Sequence, residues 1–199
     1  FYERREVKDL LAYLRVLQNP FDSVALMRVI NVPHRGIGDR TLAELNRWAR
    51  EKGIPPYAAL QVVAETERDS PDGSPTSAHP FQKRTAEALL RFLKMLNELI
   101  GLAKTSSLSD LTDAVIDRTD YRAHIMSDED GEERWENVQE LRAVTIQYDE
   151  LKPEHALASF LEDVALITDV DTMEESDTVT LITLHAAKGL EFPVVFING

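Results

Sequence analysis

From Val7 to Val164 the apolar residues recur every three or four positions, and from Thr178 that spacing gives way to short unbroken apolar and β-branched runs. The first pattern gives a helix one continuous buried face, whereas runs such as TVTLIT (178–183) and PVVFI (193–197) suit strands covered on both faces. The expected fold class is therefore mainly α, with a small α/β piece that uses the late strands. Val7, Leu10, Leu11, Leu14 and Leu17 mark a first helix that Asn19 and Pro20 stop, and Asp22 or Ser23 caps a second that runs to about residue 30. Residues 31–38 form a loop, because Pro33 fixes one dihedral and two glycines permit positive φ.

The helix that follows has Thr41 and Glu44 at capping-box spacing, buries Leu42, Leu45 and Ala49, and closes at Gly53. A short helix is expected over 56–65, then a polar surface loop over 66–80 with little to bury. Leu89, Phe92, Leu96, Leu99 and Ile100 define the next helix, ending near Gly101. Ser107 or Ser109 caps another that carries Leu111, Val115 and Ile116. An acidic turn over 128–133 leads into a helix with Trp135, Val138, Leu141 and Tyr148 inward, and Pro153 opens the last long helix through Leu157, Phe160, Leu161 and Val164.

Composition removes several functional classes. The 199 residues include no cysteine, so disulfides, thiolate metal sites and cysteine nucleophiles are excluded, and a reducing compartment suits the chain. No apolar run approaches the roughly 20 residues of a membrane span, and the N-terminus lacks a signal-peptide pattern. The expected location is cytoplasmic, with no membrane partner. A net charge of −13 opposes nonspecific nucleic-acid binding by the whole surface. Residues 1–60, however, carry ten Lys and Arg against seven Asp and Glu, a net of +3, which leaves −16 on the remainder. Any basic footprint lies near the start.

Of the eight glycines none is followed by lysine, so the lysine-bearing phosphate loop of nucleotide hydrolases is absent. Asp128 and Glu129 follow no apolar strand and read as an exposed turn. His34, His79, His124, His155 and His185 lack metal-ligand spacing, and the many acidic residues read as solvated helix faces. No metal site and no complete catalytic site is expected.

Two stretches carry a chemical signal. In PHRGIGDRTL (33–42) a Gly-Ile-Gly turn opens into a helix N-terminus, which gathers free amides and the positive helix end. Such a nest suits phosphate, and Arg35, Arg40, Arg47 and Arg50 could flank it along a nucleic-acid backbone; a plain turn is the equal alternative. In TLITLHAAKGLEFPVVF (180–196) a strand, a polar cluster and a strand follow one another. That order places Thr183, His185, Lys188 and Glu191 at a sheet edge, where α/β folds bind ligands.

The stretch TLHAAKGLEFPVVF (183–196) resembles motif V of the UvrD/PcrA/Rep-type superfamily-one DNA helicases. FYERREVKD (1–9) resembles their motif IV, VPHRGIG (32–38) the duplex-contact motif of their accessory 2B domain, and WENVQEL (135–141) a weaker family stretch. The resemblance implies a helical 2B insertion over 20–169, between pieces of the RecA-like 2A domain at 1–19 and 170–199, with hinges near 18–21 and 170–176. It also implies a fragment of an ATP-dependent 3′–5′ DNA helicase acting in unwinding, repair or replication. Arg4 would face the DNA or nucleotide cleft. Gly36, Ile37 and Gly38 would touch duplex DNA, with Arg35 and Arg40 beside them. Thr183, His185 and Lys188 would serve the single strand, and Gly189 and Glu191 would sit by the nucleotide ribose. ATP and magnesium would belong to the parent helicase, neither binding tightly to this chain alone. The implied partners are duplex and single-stranded DNA, the RecA-like 1A domain and the rest of 2A. The alternative is a regulatory protein-interaction module of a DNA motor.

Overall fold

The computed structural model describes residues 1–69 and 79–173, and among them every regular element is helical. The order is α1 (Arg5–Gln18), α2 (Ser23–Val29), α3 (Asp39–Lys52), α4 (Pro56–Asp69), α5 (Lys83–Leu102), α6 (Leu108–Arg118), α7 (Tyr121–Met126), α8 (Gly131–Ile146) and α9 (Pro153–Met173). The expected strands at 178–183 and 193–197 lie outside the described residues. No described helix is long and apolar enough to cross a membrane.

The chain builds outward from α1. Its apolar set covers more than one face, since Ala12, Tyr13 and Val16 are buried along with Val7, Leu10, Leu14 and Leu17. A helix apolar nearly all round must be enclosed. Accordingly α2, α5, α6, α8 and α9 all pack on it, while α3 leans on α4, and α4 on α2 and α5. One apolar core runs through all nine described helices. The expected grouping of residues 1–19 with 170–199 turns on residues beyond the described set; α1 itself shares its core with α2 to α9.

Several ends form as the residues dictate. The Asp22 carboxylate accepts from the Ala25 amide and the Ser107 hydroxyl from the Asp110 amide, so the first-named alternative is the cap at both helices. Gly53 closes α3 at a φ of 67°, the left-handed cap conformation that glycine adopts without strain. Other expectations are corrected. Helix α3 begins at Asp39 with Gly38 as its cap, so Thr41 lies inside the first turn and Glu44 turns instead to Arg47 (2.8 Å). Helix α4 continues to Asp69, through residues read as loop, and the short α7 adds a turn of helix between α6 and α8 that local spacing does not announce. Tyr148 falls just beyond the end of α8.

The largest departure concerns acidic residues read as solvated. Glu6 and Asp9 on α1 are 4% and 3% exposed. With Tyr13 they fall at i, i+3 and i+7, one stripe of the helix. Each grips an arginine from a different neighbour: Glu6 meets Arg134 of α8, Asp9 meets Arg28 of α2 (2.7 Å), and the Tyr13 hydroxyl accepts from Arg35 in the 31–38 loop (2.7 Å). Charge buried this way persists only when paired.

Candidate nucleic-acid interface

The 31–38 loop is held from inside by two side chains. The Asn31 carboxamide oxygen accepts from the amides of Arg35 (2.8 Å) and Ile37 (3.2 Å). The Arg35 guanidinium folds under the turn and donates to the carbonyls of Val29 (3.1 Å), Ile30 (3.4 Å) and Pro33 (3.0 Å), besides the Tyr13 hydroxyl. It lies 5.6 Å from the centroid of the Phe92 ring and 6.0 Å from that of Tyr13. Both rings are thus within reach of a cation–π attraction. The Tyr13 hydroxyl donates between the carbonyls of Val29 (3.2 Å) and Val32. Burial pushes this phenol up to about 12 against the opposing pull of Arg35, so it stays protonated at neutral pH.

What the loop shows to solvent follows from what it turns inward. Ile37 is fully buried and acts as a plug, while Gly36, Gly38 and Arg40 are exposed or half-exposed at the rim. Gly36 has a φ of 75°. A side chain is strained there, so this glycine supplies the reversal. Gly38 is corrected: its φ of −76° and ψ of 172° are extended and open to any residue. The amides of Gly38, Asp39 and Arg40 donate to no acceptor among the described residues. Those amides and the positive end of α3 face the same surface, where the Asp39 carboxylate offsets part of the field.

The candidate arginines divide sharply. Arg40 and Arg50 have no carboxylate partner among the described residues. Arg47 is bound by Glu44 (2.8 Å) and Glu51 (2.6 Å), which neutralises it on the surface of α3. Arg35 is turned inward, and sequence reasoning missed the residue that holds its loop, Asn31. A signal existed: asparagine at the start of a glycine-containing loop commonly bonds backbone amides a few residues on.

Arg4 stands apart from this face. It precedes α1, is half-exposed, and pairs with Glu133 at 3.3 Å. Near it Arg134 joins Glu6 (3.4 Å), Asp128 and Asp130 (3.6 Å), and Asn137 donates to Glu6 at 2.8 Å. Thr183, His185, Lys188, Gly189 and Glu191 lie outside the described residues. No group of three or more His, Asp or Glu among the described residues could hold a metal ion.

Comparison with known proteins agrees in one direction. A family model described as the UvrD-like helicase C-terminal domain matches residues 1–199. The ATP-dependent DNA helicase PcrA of Bacillus subtilis is 36% identical over 208 residues, covering 100% of this chain and 26% of that protein. The ATP-dependent DNA helicase UvrD1 of Mycobacterium tuberculosis is 39% identical over 217 residues, covering 100% of the chain and 27% of the relative. PcrA of Staphylococcus epidermidis is 36% identical over 203 residues, again with 100% and 26% coverage. The chain thus spans about a quarter of the length of these curated relatives, and it belongs to the UvrD-like helicase C-terminal family.

Proposed function

We propose that this member of the UvrD-like helicase C-terminal family works as part of an ATP-dependent DNA helicase, moving 3′ to 5′, and contributes DNA contacts rather than the hydrolytic centre. The observation that carries the reading is the match of the entire chain to helicases several times its length. The turn at 36–38, with both glycines exposed and opening into α3 beside Arg40, which has no partner among the described residues, supports a duplex-phosphate contact at that end of the molecule. In this reading Gly36, Gly38 and Arg40 meet the backbone without reading bases, and Ile37 anchors the turn.

Residues 20–169 act as the helical accessory insertion, and residues 1–19 with 170–199 belong to the RecA-like 2A domain, with α1 as the joint. Arg4 faces the nucleotide or DNA cleft, Thr183, His185 and Lys188 serve the single strand, and Gly189 and Glu191 sit by the ribose. The described residues do not fit a complete nucleotide site: no glycine of the chain precedes a lysine, and no acidic cluster among those residues suits magnesium. The phosphate loop and magnesium ligands are therefore assigned to the rest of the helicase. Regulation by a protein partner is the second reading, favoured by Phe21 and Val24, 54% and 84% exposed at the start of α2.

Fluorescence anisotropy with a labelled duplex over a salt series tests the choice. Phosphate contacts make log K fall with log salt at about 0.9 per contact. A flat response, or DNA-stimulated ATP turnover by the 199-residue chain alone, overturns the proposal.

A further inference from the structure

We propose that Tyr13, Arg35 and Asn31 form a positioning latch that shapes the 36–40 turn for duplex DNA, with Arg35 acting through shape and field and not through phosphate contact. The inference rests on the duplex-contact reading above. It departs from the expectation that Arg35 flanks the phosphate directly.

The geometry runs from the backbone outward. Asn31 takes the amides of Arg35 and Ile37, on either side of Gly36, with a single oxygen. Pinning those two while Ile37 plugs the core leaves the Gly36 peptide at the outer rim, in the conformation only glycine holds easily. Arg35 fills the space beneath, and its fork meets three carbonyls and one phenol. Those acceptors are neutral, and Arg35 pairs with no carboxylate among the described residues. The bonds therefore hold the cation without cancelling its charge, and a positive field stays under the exposed amides. Tyr13 is the fixed end of the latch, since it lies on α1, the helix around which the core is built.

Tyr13→Phe and Asn31→Ala test this without changing charge. The fully buried phenol of Tyr13 is out of reach of DNA, so any effect on binding passes through the loop. Anisotropy with a labelled duplex should show Tyr13→Phe and Asn31→Ala each about fivefold weaker, from the hydrogen bonds each removes, with the wild-type salt slope. Arg40→Ala should lower that slope by about 0.9. In ¹⁵N amide spectra both latch variants should move the Gly36 and Gly38 signals and leave Gly53 and Gly101 in place. Wild-type affinity in Tyr13→Phe, while Arg40→Ala weakens binding, overturns the latch alone. Equal shifts at Gly53 and Gly101 also overturn it, because the change would then be one of general fold. No duplex binding by wild type, or none lost in Arg40→Ala, overturns the duplex reading itself. Thermal melts confirm that each variant is folded, and Tyr13→Phe decides if Asn31→Ala is not.

Discussion

Two turns of this molecule are each gathered by one arginine docked on α1, and they differ in what that arginine finds. At 31–38 Arg35 meets carbonyls and the Tyr13 phenol, all neutral. At 127–131, nearer the start of α1 where Glu6 lies, Arg134 meets Glu6, Asp128 and Asp130. Neutral acceptors fix a guanidinium and leave its charge available to the surroundings; carboxylates fix it and cancel the charge. The first turn can therefore present a positive surface, whereas the second closes a local charge network between α1, the 127–131 turn and α8. Similar hardware on one helix leaves a cation's field open in one place and cancels it in the other.

The sharpest way to break this comparison is to remove each arginine. Arg134→Met leaves Glu6, whose side chain is 5% exposed, with Asn137 as its remaining side-chain partner among the described residues. Breaking a buried ion pair from one side costs about 3 kcal/mol, to be read from urea unfolding. Arg35→Met strands only neutral acceptors, for which about 1.5 kcal/mol is expected. Equal losses in the two variants would show that the acceptors' charge does not matter.

The next effect belongs to the second turn alone. A Cβ added at Gly131 would lie 2.7 Å from the Ile125 carbonyl oxygen and 2.9 Å from the Met126 Cα, both backbone atoms that cannot swing away. Gly131→Ala should lose about 2 kcal/mol by forcing α8 from α7, measured by thermal melting. Gly36 and Gly38 have nothing within 4 Å of the same position, so the first turn is open where the second is packed. A melt unchanged by Gly131→Ala would show that α7 and α8 can separate at no cost.

Sequence legibility follows the same division. Helices α1, α2, α5 and α9 were readable because apolar spacing, Asn19-Pro20, Asp22 and Pro153 all act within a few residues. The Gly-Ile-Gly surface turn was readable for that reason too. What escaped was long-range pairing: Glu6 with Arg134 and Asn137, Asp9 with Arg28 and Tyr121, and Tyr13 with Arg35. On the sequence Glu6 and Asp9 resemble solvated charges, since burial depends on elements that arrive later in the chain. The Thr41 and Glu44 spacing misled because the helix already starts at Asp39, so the Thr41 amide donates to the Gly38 carbonyl (2.9 Å) and Glu44 pairs with Arg47 instead. Arg35 misled in turn, since a cation beside glycines resembles a phosphate ligand until the carbonyls beneath it are seen.

A smaller effect separates the two glycines within the first turn. Gly36→Ala must adopt the φ of 75° found at that position. The left-handed conformation costs a residue with a Cβ about 1 kcal/mol. Gly38→Ala keeps a φ of −76°, which alanine adopts freely. Its loss should stay below about 0.5 kcal/mol. Chemical denaturation resolves the difference. If both variants lose the same stability, the reversal is shared by the two glycines and the extended conformation at Gly38 does not describe the turn.

The last effect is nil at neutral pH and appears only in alkali. Burial raises the Tyr13 phenol from its ordinary value near 10 up to about 12, so the fold favours its protonated form. A raised pKa of this kind gives stability that is full below about pH 10 and is lost as pH climbs through about 12. The Tyr13 contribution to the first turn should then be indifferent to pH across the neutral range. Tyr121 is also raised, by burial and then by Asp9, and Tyr148 is raised to about 12, by burial and then by its bond to Asp163. Both keep the alkaline limb steep in any Tyr13 variant. The contrast must therefore be taken as a difference: urea midpoints of wild type and Tyr13→Phe, run in parallel from about pH 7 to about pH 11.5, should hold a constant gap to about pH 10 and converge above it. Convergence follows because wild type alone loses the Tyr13 contribution there. A gap that stays constant throughout would mean that Tyr13 titrates alike in the folded and unfolded chain, and that the phenol under Arg35 is not desolvated by the latch it anchors.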